Sequence, residues 1–381
     1  MSISPEHEAL LRLLHADAPA AGLRRLLDTH GDAQAALVAG PRDWASHGLD
    51  AATCRAIRAA ATPALARSLL WLETADHHLL GWGDPAYPLL LRRIATPPAM
   101  LFVAGNPALL WQPAVAIVGS RAATAGGCAN AAQFARGLAA AGLCIDSGLA
   151  AGIDAAAHAA TLEAGGATVA VLGTGPDVAY PARHQALLAR IAASGAVVSE
   201  HPPGTAPLRT HFPSRNRILA GLSLGTVVIE AALQSGALIT ARLAADCGRE
   251  VFALPGSIHN PMARGCHRLL REGANLVETP AEVAEALTPL AQDLARALRG
   301  VLEADAAQTS ASPVDGAATA ATFPSPDYHR LWQAIGHDPT GMDTLTQRTG
   351  LTVAELSSML LWLELEGKVA ASHGRYSRIG G

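Results

Sequence analysis

The hydrophobic pattern divides the chain into three textures. Over residues 5–75, apolar residues recur at helical spacing, as in Leu10, Leu11, Leu13 and Leu14 and again in Leu23, Leu26 and Leu27. That period predicts short helices, with Gly22, Gly31, Gly40 and Gly48 as punctuation. Such a module resembles helix-hairpin-helix or SAM-like units, with a plain helical cap as the other reading. Residues 82–105 turn Pro-rich (Asp84-Pro85-Ala86-Tyr87-Pro88, then Thr96-Pro97-Pro98) and read as an irregular lead-in. From 114 to 280 short β-rich runs alternate with Ala-rich helical stretches. Strands are expected at 115–118, 143–146, 168–172, 196–199, 226–229 and 250–253. Strands separated by helical segments imply a parallel sheet covered on both faces. The expected fold class is therefore α/β, a Rossmann-like doubly wound sheet.

Beyond a helix over 281–302, residues 303–326 are small and polar with Pro, and read as a flexible linker. The expected boundaries are a helical domain at 1–75, the α/β domain with its lead-in at 76–300, a linker at 301–326 and a last domain at 327–381. In that last segment Leu331, Ile335, Leu345, Leu351, Val353, Leu356, Met359, Leu360 and Leu363 form amphipathic stripes, and Gly367 and Gly374 flank a short strand. Three helices and a two-stranded ribbon outline a winged helix. Its second-groove helix, 353–366, carries Glu355, Glu364 and Glu366 without Arg or Lys. Like charge would repel phosphates, which favours a protein contact there.

Composition narrows the function classes. Half the residues are apolar and 16% are charged, enough to bury a large core in a chain of 381 residues. The net charge is −4, so any nucleic-acid site has to be a local patch. Lys368 is the one lysine, leaving arginine as the phosphate partner. The five cysteines, at 54, 128, 144, 247 and 266, form no CxxC pair. They read as core thiols of a reducing compartment, and with no signal-like N-terminus or long apolar run the expected location is cytoplasmic, away from membranes.

In open parallel sheets ligands sit beyond the carboxyl ends of the strands. The residues there are Gly119, Ser120 and Arg121 after the first strand, and Ser147 and Gly148 after the second. The third is followed by Gly173 and Gly175 and then by Tyr180-Pro181-Ala182-Arg183. Glycine turns at helix N-termini suit anions, and a guanidinium forks onto phosphate. The densest basic cluster is Arg209-Thr-His-Phe-Pro-Ser-Arg-Asn-Arg217, where Phe212 offers a face for a base and Arg215, Asn216 and Arg217 could hold phosphate. A surface turn whose arginines pair with Glu200 or Glu230 is the competing reading. The dinucleotide GxGxxG and the GxxxxGK[ST] loop are absent, so no nucleotide cofactor is expected. Neither HExxH, nor GxSxG, nor any His/Asp cluster at ligand spacing occurs, which leaves no expected metal site and no catalytic set.

The ordered motifs Ala116-Ile-Val-Gly-Ser-Arg121, Ser147-Gly-Leu-Ala-Ala-Gly-Ile-Asp154 with His158, Val169-Ala-Val-Leu-Gly-Thr-Gly175 and Phe212-Pro-Ser-Arg-Asn-Arg217 run through the central region. Glu230, Ser235-Gly-Ala-Leu-Ile-Thr240, Arg249-Glu-Val-Phe252 and Pro255-Gly256 continue them. Together they resemble the DNA-processing protein A (DprA, or Smf) family over residues 80–280. The resemblance implies a non-enzymatic homodimer that binds and shields single-stranded DNA and loads a RecA-type recombinase during natural transformation and recombination. It puts phosphate contacts on Gly119, Ser120, Arg121, Ser147, Gly148, Arg183, Arg215, Asn216 and Arg217. The competing class is an enzyme. Leu222-Ser-Leu-Gly-Thr-Val-Val-Ile-Glu230 is similar to the nucleoside-monophosphate phosphoribohydrolases of the lysine-decarboxylase-like group, which pair an Arg with a Glu at the ribose phosphate. It lacks their Pro-Gly-Gly.

Overall fold

A computed structural model describes residues 4–59 and 62–310. Toward the C-terminus it describes 330–332, 334–335, 340–351, 356, 359–360, 363, 369–372 and 375–378. Contacts divide the chain into one unit of residues 1–302 and another of 303–381.

The first unit opens with six helices, α1 (Pro5–His15), α2 (Ala20–His30), α3 (Ala33–Ala39), α4 (Pro41–Ser46), α5 (Ala51–Arg58) and α6 (Pro63–Leu72). Side-chain caps start most of them: Ser4, Asp32, Asp50 and Thr62 each accept a first-turn backbone N–H. Their buried stripe, including Leu11, Leu13, Leu23, Leu26 and Ile57, shares one core with Leu79, Met100 and Phe102. Those three residues belong to β1 (His77–Gly81) and β2 (Met100–Gly105). The Pro-rich lead-in is therefore not irregular throughout. It contributes β2 and the short α7 (Leu89–Arg92), and β1 immediately precedes it. β2 is buried at every position and finds its partner β6 (Ala196–Ser199) some ninety residues on, a pairing that local periodicity cannot register.

The remaining strands are β3 (Ala114–Val118), β4 (Cys144–Ser147), β5 (Thr168–Leu172), β7 (Gly225–Val228), β8 (Glu250–Ala253) and β9 (Asn275–Leu276). They fall on the expected runs to within a residue or so, apart from β9, which the hydrophobic pattern does not reveal. The sheet order is β1-β2-β6-β5-β4-β3-β7-β8-β9. β1 and β2 are antiparallel additions at one edge, and β6 through β9 are parallel. The helices following the strands are α8 (Ala125–Ala140), α9 (Ile153–Glu163), α10 (Gln185–Ser194), α11 (His211–Leu222), α12 (Gly236–Asp246), α13 (Arg264–Arg271) and α14 (Pro280–Ser310).

Alternate residues of β3 take opposite faces. Ala114, Ala116 and Val118 share a core with Ile218, Leu219 and Leu222 of α11 and Ala237 and Ala241 of α12. Val115 and Ile117 face Phe134 and Leu138 of α8, Ile153 of α9 and Leu287 of α14. This is the doubly wound Rossmann-like arrangement. Strand order reverses between β3 and β7, which opens the crevice where such sheets take ligands. α14 continues to Ser310, so the linker begins later than residue 301. Leu302-Glu-Ala-Asp-Ala-Ala-Gln is rich in strong helix formers, and helix propensity wins over the short polar composition there. The rest of the expected linker, 311–326, lies outside the described residues.

In the second unit Leu331, Ile335, Leu345, Leu356, Met359, Leu360, Leu363 and Val369 pack as one small core. Its ribbon has three strands rather than two. β10 (Thr340–Gly341) adds to β12 (Arg375–Arg378), which also pairs with β11 (Val369–Ser372). This is the winged-helix unit. Glu355, Glu364 and Glu366 of its expected groove helix lie outside the described residues. Among the described residues no helix is long and apolar enough to cross a membrane.

Candidate nucleic-acid interface

The site is assembled at the carboxyl edge of the sheet from the turns after β3, β4 and β5 and from the start of α11. The turn Gly119-Ser120-Arg121 leaves β3 at the reversal point. A Cβ on Gly119 would lie 2.5 Å from Ile153 Cγ1, so only glycine lets this turn close onto α9. The Ser120 amide donates to the Glu230 carbonyl (2.7 Å). Its hydroxyl accepts from the Ala122 amide (3.1 Å) and donates to Met262 Sδ (3.4 Å). Arg121 then projects outward and is exposed.

The next turn is tied from within. Ser147 Oγ donates to the Ile117 carbonyl (2.6 Å), and the Gly148 and Ala150 amides donate to Asp154 Oδ2 (3.1 and 3.3 Å). Leu149 is held at φ +56°, a region costly for a branched residue, and its carbonyl contacts His184 Nδ1 (2.9 Å). His158 is fully buried beneath, its Nδ1 against Thr168 Oγ1 (2.7 Å). Burial, with Arg215 adding to it, pushes the imidazole down to about 3, so it is neutral and out of reach of solvent.

Two arginines depart from the expected groove. Arg215 is buried, 5% exposed, and donates to the carbonyls of Gly148 (3.0 Å) and Val171 and to Asn216 Oδ1 (3.2 Å). The guanidinium lies so close beneath the turn that a Cβ on Gly148 would sit 2.4 Å from it. Desolvation lowers Arg215 to about 10, with Asp154 opposing the shift, so the group remains a cation at neutral pH. Helical register explains its position: Arg215 and Asn216 lie on the core-facing side of α11, next to Ile218 and Leu219. Arg217 emerges on the other side but is claimed by Glu200 in a bidentate pair (2.8 and 2.6 Å) and by the Thr96 carbonyl (2.8 Å). The pairing that competes with phosphate binding thus holds for Arg217 with Glu200. It does not hold for Glu230, which accepts from the Thr124 amide (2.9 Å) and hydroxyl (2.7 Å) and from Asn260 Nδ2 (3.3 Å).

What faces solvent is smaller and more defined. The Arg121 guanidinium carbon stands 5.5 Å from the Phe212 ring centre, within cation–π reach. The Phe212 ring lies 5.0 Å from that of Tyr180, which is 42% exposed. Arg183 follows, exposed, after the cis Tyr180–Pro181 bond. Among the described residues no ion pair engages Arg121 or Arg183, whose side chains are free to meet phosphate. Of the expected residues, Gly119, Arg121, Arg183 and Phe212 reach the surface of one edge, whereas Ser120, Ser147 and Gly148 are buried in the turns behind it and spend their polar groups inside. Arg215 and Asn216 form the floor beneath it, and Arg217 braces α11 to the lead-in. Local pattern does not mark Tyr180 as part of the site, since its ring reaches Phe212 only because the β5 and β6 loops are neighbours. The Arg–Glu partnership of the phosphoribohydrolases is not assembled, since Arg215 and Glu230 each spend their hydrogen bonds elsewhere. No group of three or more His, Cys, Asp or Glu among the described residues could hold a metal ion.

Comparison with known proteins agrees with this architecture. The family model for DNA recombination-mediator protein A matches residues 78–288, and that for the DprA winged helix domain matches 313–375. Protein Smf of Escherichia coli K12 is 42% identical over 317 residues, covering 82% of this chain and 80% of that protein. The DNA processing protein DprA of Streptococcus pneumoniae is 48% identical over 200 residues, 52% of this chain and 71% of that protein. The X-ray structure of DprA from S. pneumoniae superposes with a TM-score of 0.63 at 37% identity, over 74% of this chain and 98% of that one. A DprA structure from Helicobacter pylori, described for its single-stranded DNA binding mode, gives 0.51 at 28% identity, over 56% of this chain and 95% of that one. With its Rossmann-like sheet, its winged helix and these relatives, the chain belongs to the DNA recombination-mediator protein A (DprA/Smf) family.

Proposed function

We propose that this protein binds single-stranded DNA along the carboxyl edge of its sheet and acts by binding, without turnover. The observation that carries the reading is an exposed cation, Arg121, standing over the exposed-edge aromatic pair Phe212 and Tyr180 at the point where strand order reverses. A guanidinium beside an aromatic platform meets phosphate and base together, and stacking accepts any base. The single-stranded DNA binding described for the H. pylori relative supports the same assignment. Duplex DNA keeps its bases stacked inside and cannot offer one to Phe212. Binding is therefore salt-sensitive, indifferent to sequence and selective for single strands.

In this reading the protein shields incoming single strands and passes them to a RecA-type recombinase during natural transformation and homologous recombination, working as a homodimer. Anisotropy titrations with labelled single- and double-stranded oligonucleotides test the first step. Wild type should prefer the single strand and Arg121→Ala should weaken it, whereas equal affinity for duplex would overturn the reading. Incubation with AMP should release no adenine, and adenine release would restore the hydrolase alternative.

A further inference from the structure

The family models match residues 78–288 and 313–375, and neither match includes α6. The described contacts bring that helix to the same edge. The turns after β3, β5 and β6 follow one another along the carboxyl side of the sheet, in the strand order β6-β5-β4-β3. Arg121 stands at the β3 end, with Tyr180 and Phe212 next. The loop after β6, residues 200–210, comes after them. That loop is folded tightly onto its neighbour: the Gly175 amide donates to the Thr205 carbonyl (3.0 Å) and the Gly204 amide to Asp177 Oδ1 (2.8 Å).

Arg67, from the middle of α6, lies across this loop. A Cβ on Gly204 would be 2.4 Å from Arg67 Nη1, and Gly204 has φ +81°, so the loop is bare backbone where the guanidinium crosses it. Arg67 and Arg209, at the far end of the loop, are both exposed, and among the described residues neither is in an ion pair. α6 is rigidly seated: Ser68 is fully buried against His15 (3.0 Å), and the Trp71 ring stacks on His77 with centres 3.9 Å apart. The backbone that carries Arg67 is therefore held in place relative to the sheet.

We propose that Arg67 and Arg209 continue the phosphate track beyond Phe212, so that a long single strand runs from Arg121 across the β6 loop onto the N-terminal helices. This rests on the single-stranded DNA reading above. Three strand spacings of ~4.8 Å, about 14 Å, separate the β3 turn from the β6 loop, so a dinucleotide can fill the Arg121–Phe212 end without reaching Arg67.

The test is anisotropy with thymidylates of about 2 and about 20 nucleotides, the short one used as a competitor of the labelled long one, so that one falls below that span and the other exceeds it. The proteins are wild type, Arg67→Ala, Arg67→Lys, Arg121→Ala and, as a remote surface control, Arg42→Ala. One phosphate contact contributes a salt slope of ~0.7 on single strands, which is about fivefold in affinity at ~0.1 M salt. Arg67→Ala should lose about that on the long strand with a matching fall in slope, and nothing on the short one. Arg67→Lys should retain most of it, and Arg42→Ala should resemble wild type. If Arg121→Ala weakens both lengths while Arg67→Ala weakens neither, or weakens both equally, the extended track is overturned. If Arg121→Ala weakens neither, the underlying binding reading fails first.

Discussion

Arg215 belongs to the motif that most resembles a phosphate clamp, yet its guanidinium is spent beneath the turn it was expected to flank. Substitution Arg215→Met keeps the aliphatic stem and removes the charge. It strips donors from the Gly148 and Val171 carbonyls and leaves Asp154, fully buried, without the cation that opposes its desolvation. Stripping the donors from two buried carbonyls costs ~1–3 kcal/mol each, and loss of the cation near Asp154 adds to it, for a total of ~3–5 kcal/mol. At ~2–4 °C per kcal/mol for a unit of this size, the melting temperature should drop by roughly 10 °C. Burial already raises Asp154 above the ordinary carboxylate range, and losing Arg215 would raise it further. A raised folded-state value favours the protonated form, so the deficit should shrink as pH falls and be largest near neutrality and above. Urea unfolding at pH 5 and pH 7.5 measures this. Salt-dependent anisotropy, run well below the variant's melting point, gives the second readout. Affinity should fall through the distorted turn while the salt slope stays at the wild-type value. Arg121→Ala should do the reverse, costing under ~0.5 kcal/mol of stability and lowering the slope by ~0.7. An Arg215→Met protein of undiminished stability whose slope drops by a full phosphate would refute the buried placement.

Phe212→Ala should cost ~1–3 kcal/mol of binding, the usual loss for one stacked base, with the salt slope intact; a changed slope would mean the ring mainly positions Arg121. Gly148→Ala should destabilise by ~1–3 kcal/mol because its methyl would press on the Arg215 guanidinium, and Gly148→Ala combined with Arg215→Met should recover part of that in thermal melts. Asp146 is fully buried in β4, accepts from Ser223 Oγ (3.0 Å), and is pushed up by desolvation to about 7. The stability it contributes is therefore complete below about pH 4 and lost as pH rises through about 7, a span of ~3 units or ~4 kcal/mol. Asp146→Asn keeps an acceptor for Ser223 without a charge. The variant should be more stable than wild type at pH 8 and no more so at pH 4, by urea unfolding at the two values.

How much was legible in the chain itself depended on the range of the interaction. Short continuous apolar runs such as 168–172 and 196–199 are legible at the bounds they take, because a strand buried on both faces writes its environment into consecutive apolar residues. Glycines and arginines after those runs were legible too, since a turn at a strand end has few compositions that allow it. β2 was missed for a different reason. Met100–Gly105 is a short apolar run among prolines, and what makes it a strand is β6, distant in the chain. The fate of three arginines within one short stretch, Arg209 to Arg217, is equally beyond local pattern. Arg209, Arg215 and Arg217 are chemically identical, and helical phase together with Glu200 decides that the first is free, the second buried and the third paired.

Local pattern along the chain encodes the layered α/β fold and the winged-helix tail, and it points to the sheet edge of the candidate site and the residue types gathered there. Which of those residues face water depends on packing, because a side chain's exposure and its ion-pair partner are set by elements that meet across tens of residues. The burial of Arg215, the capture of Arg217 and the arrival of Arg67 beside Gly204 are all of that kind.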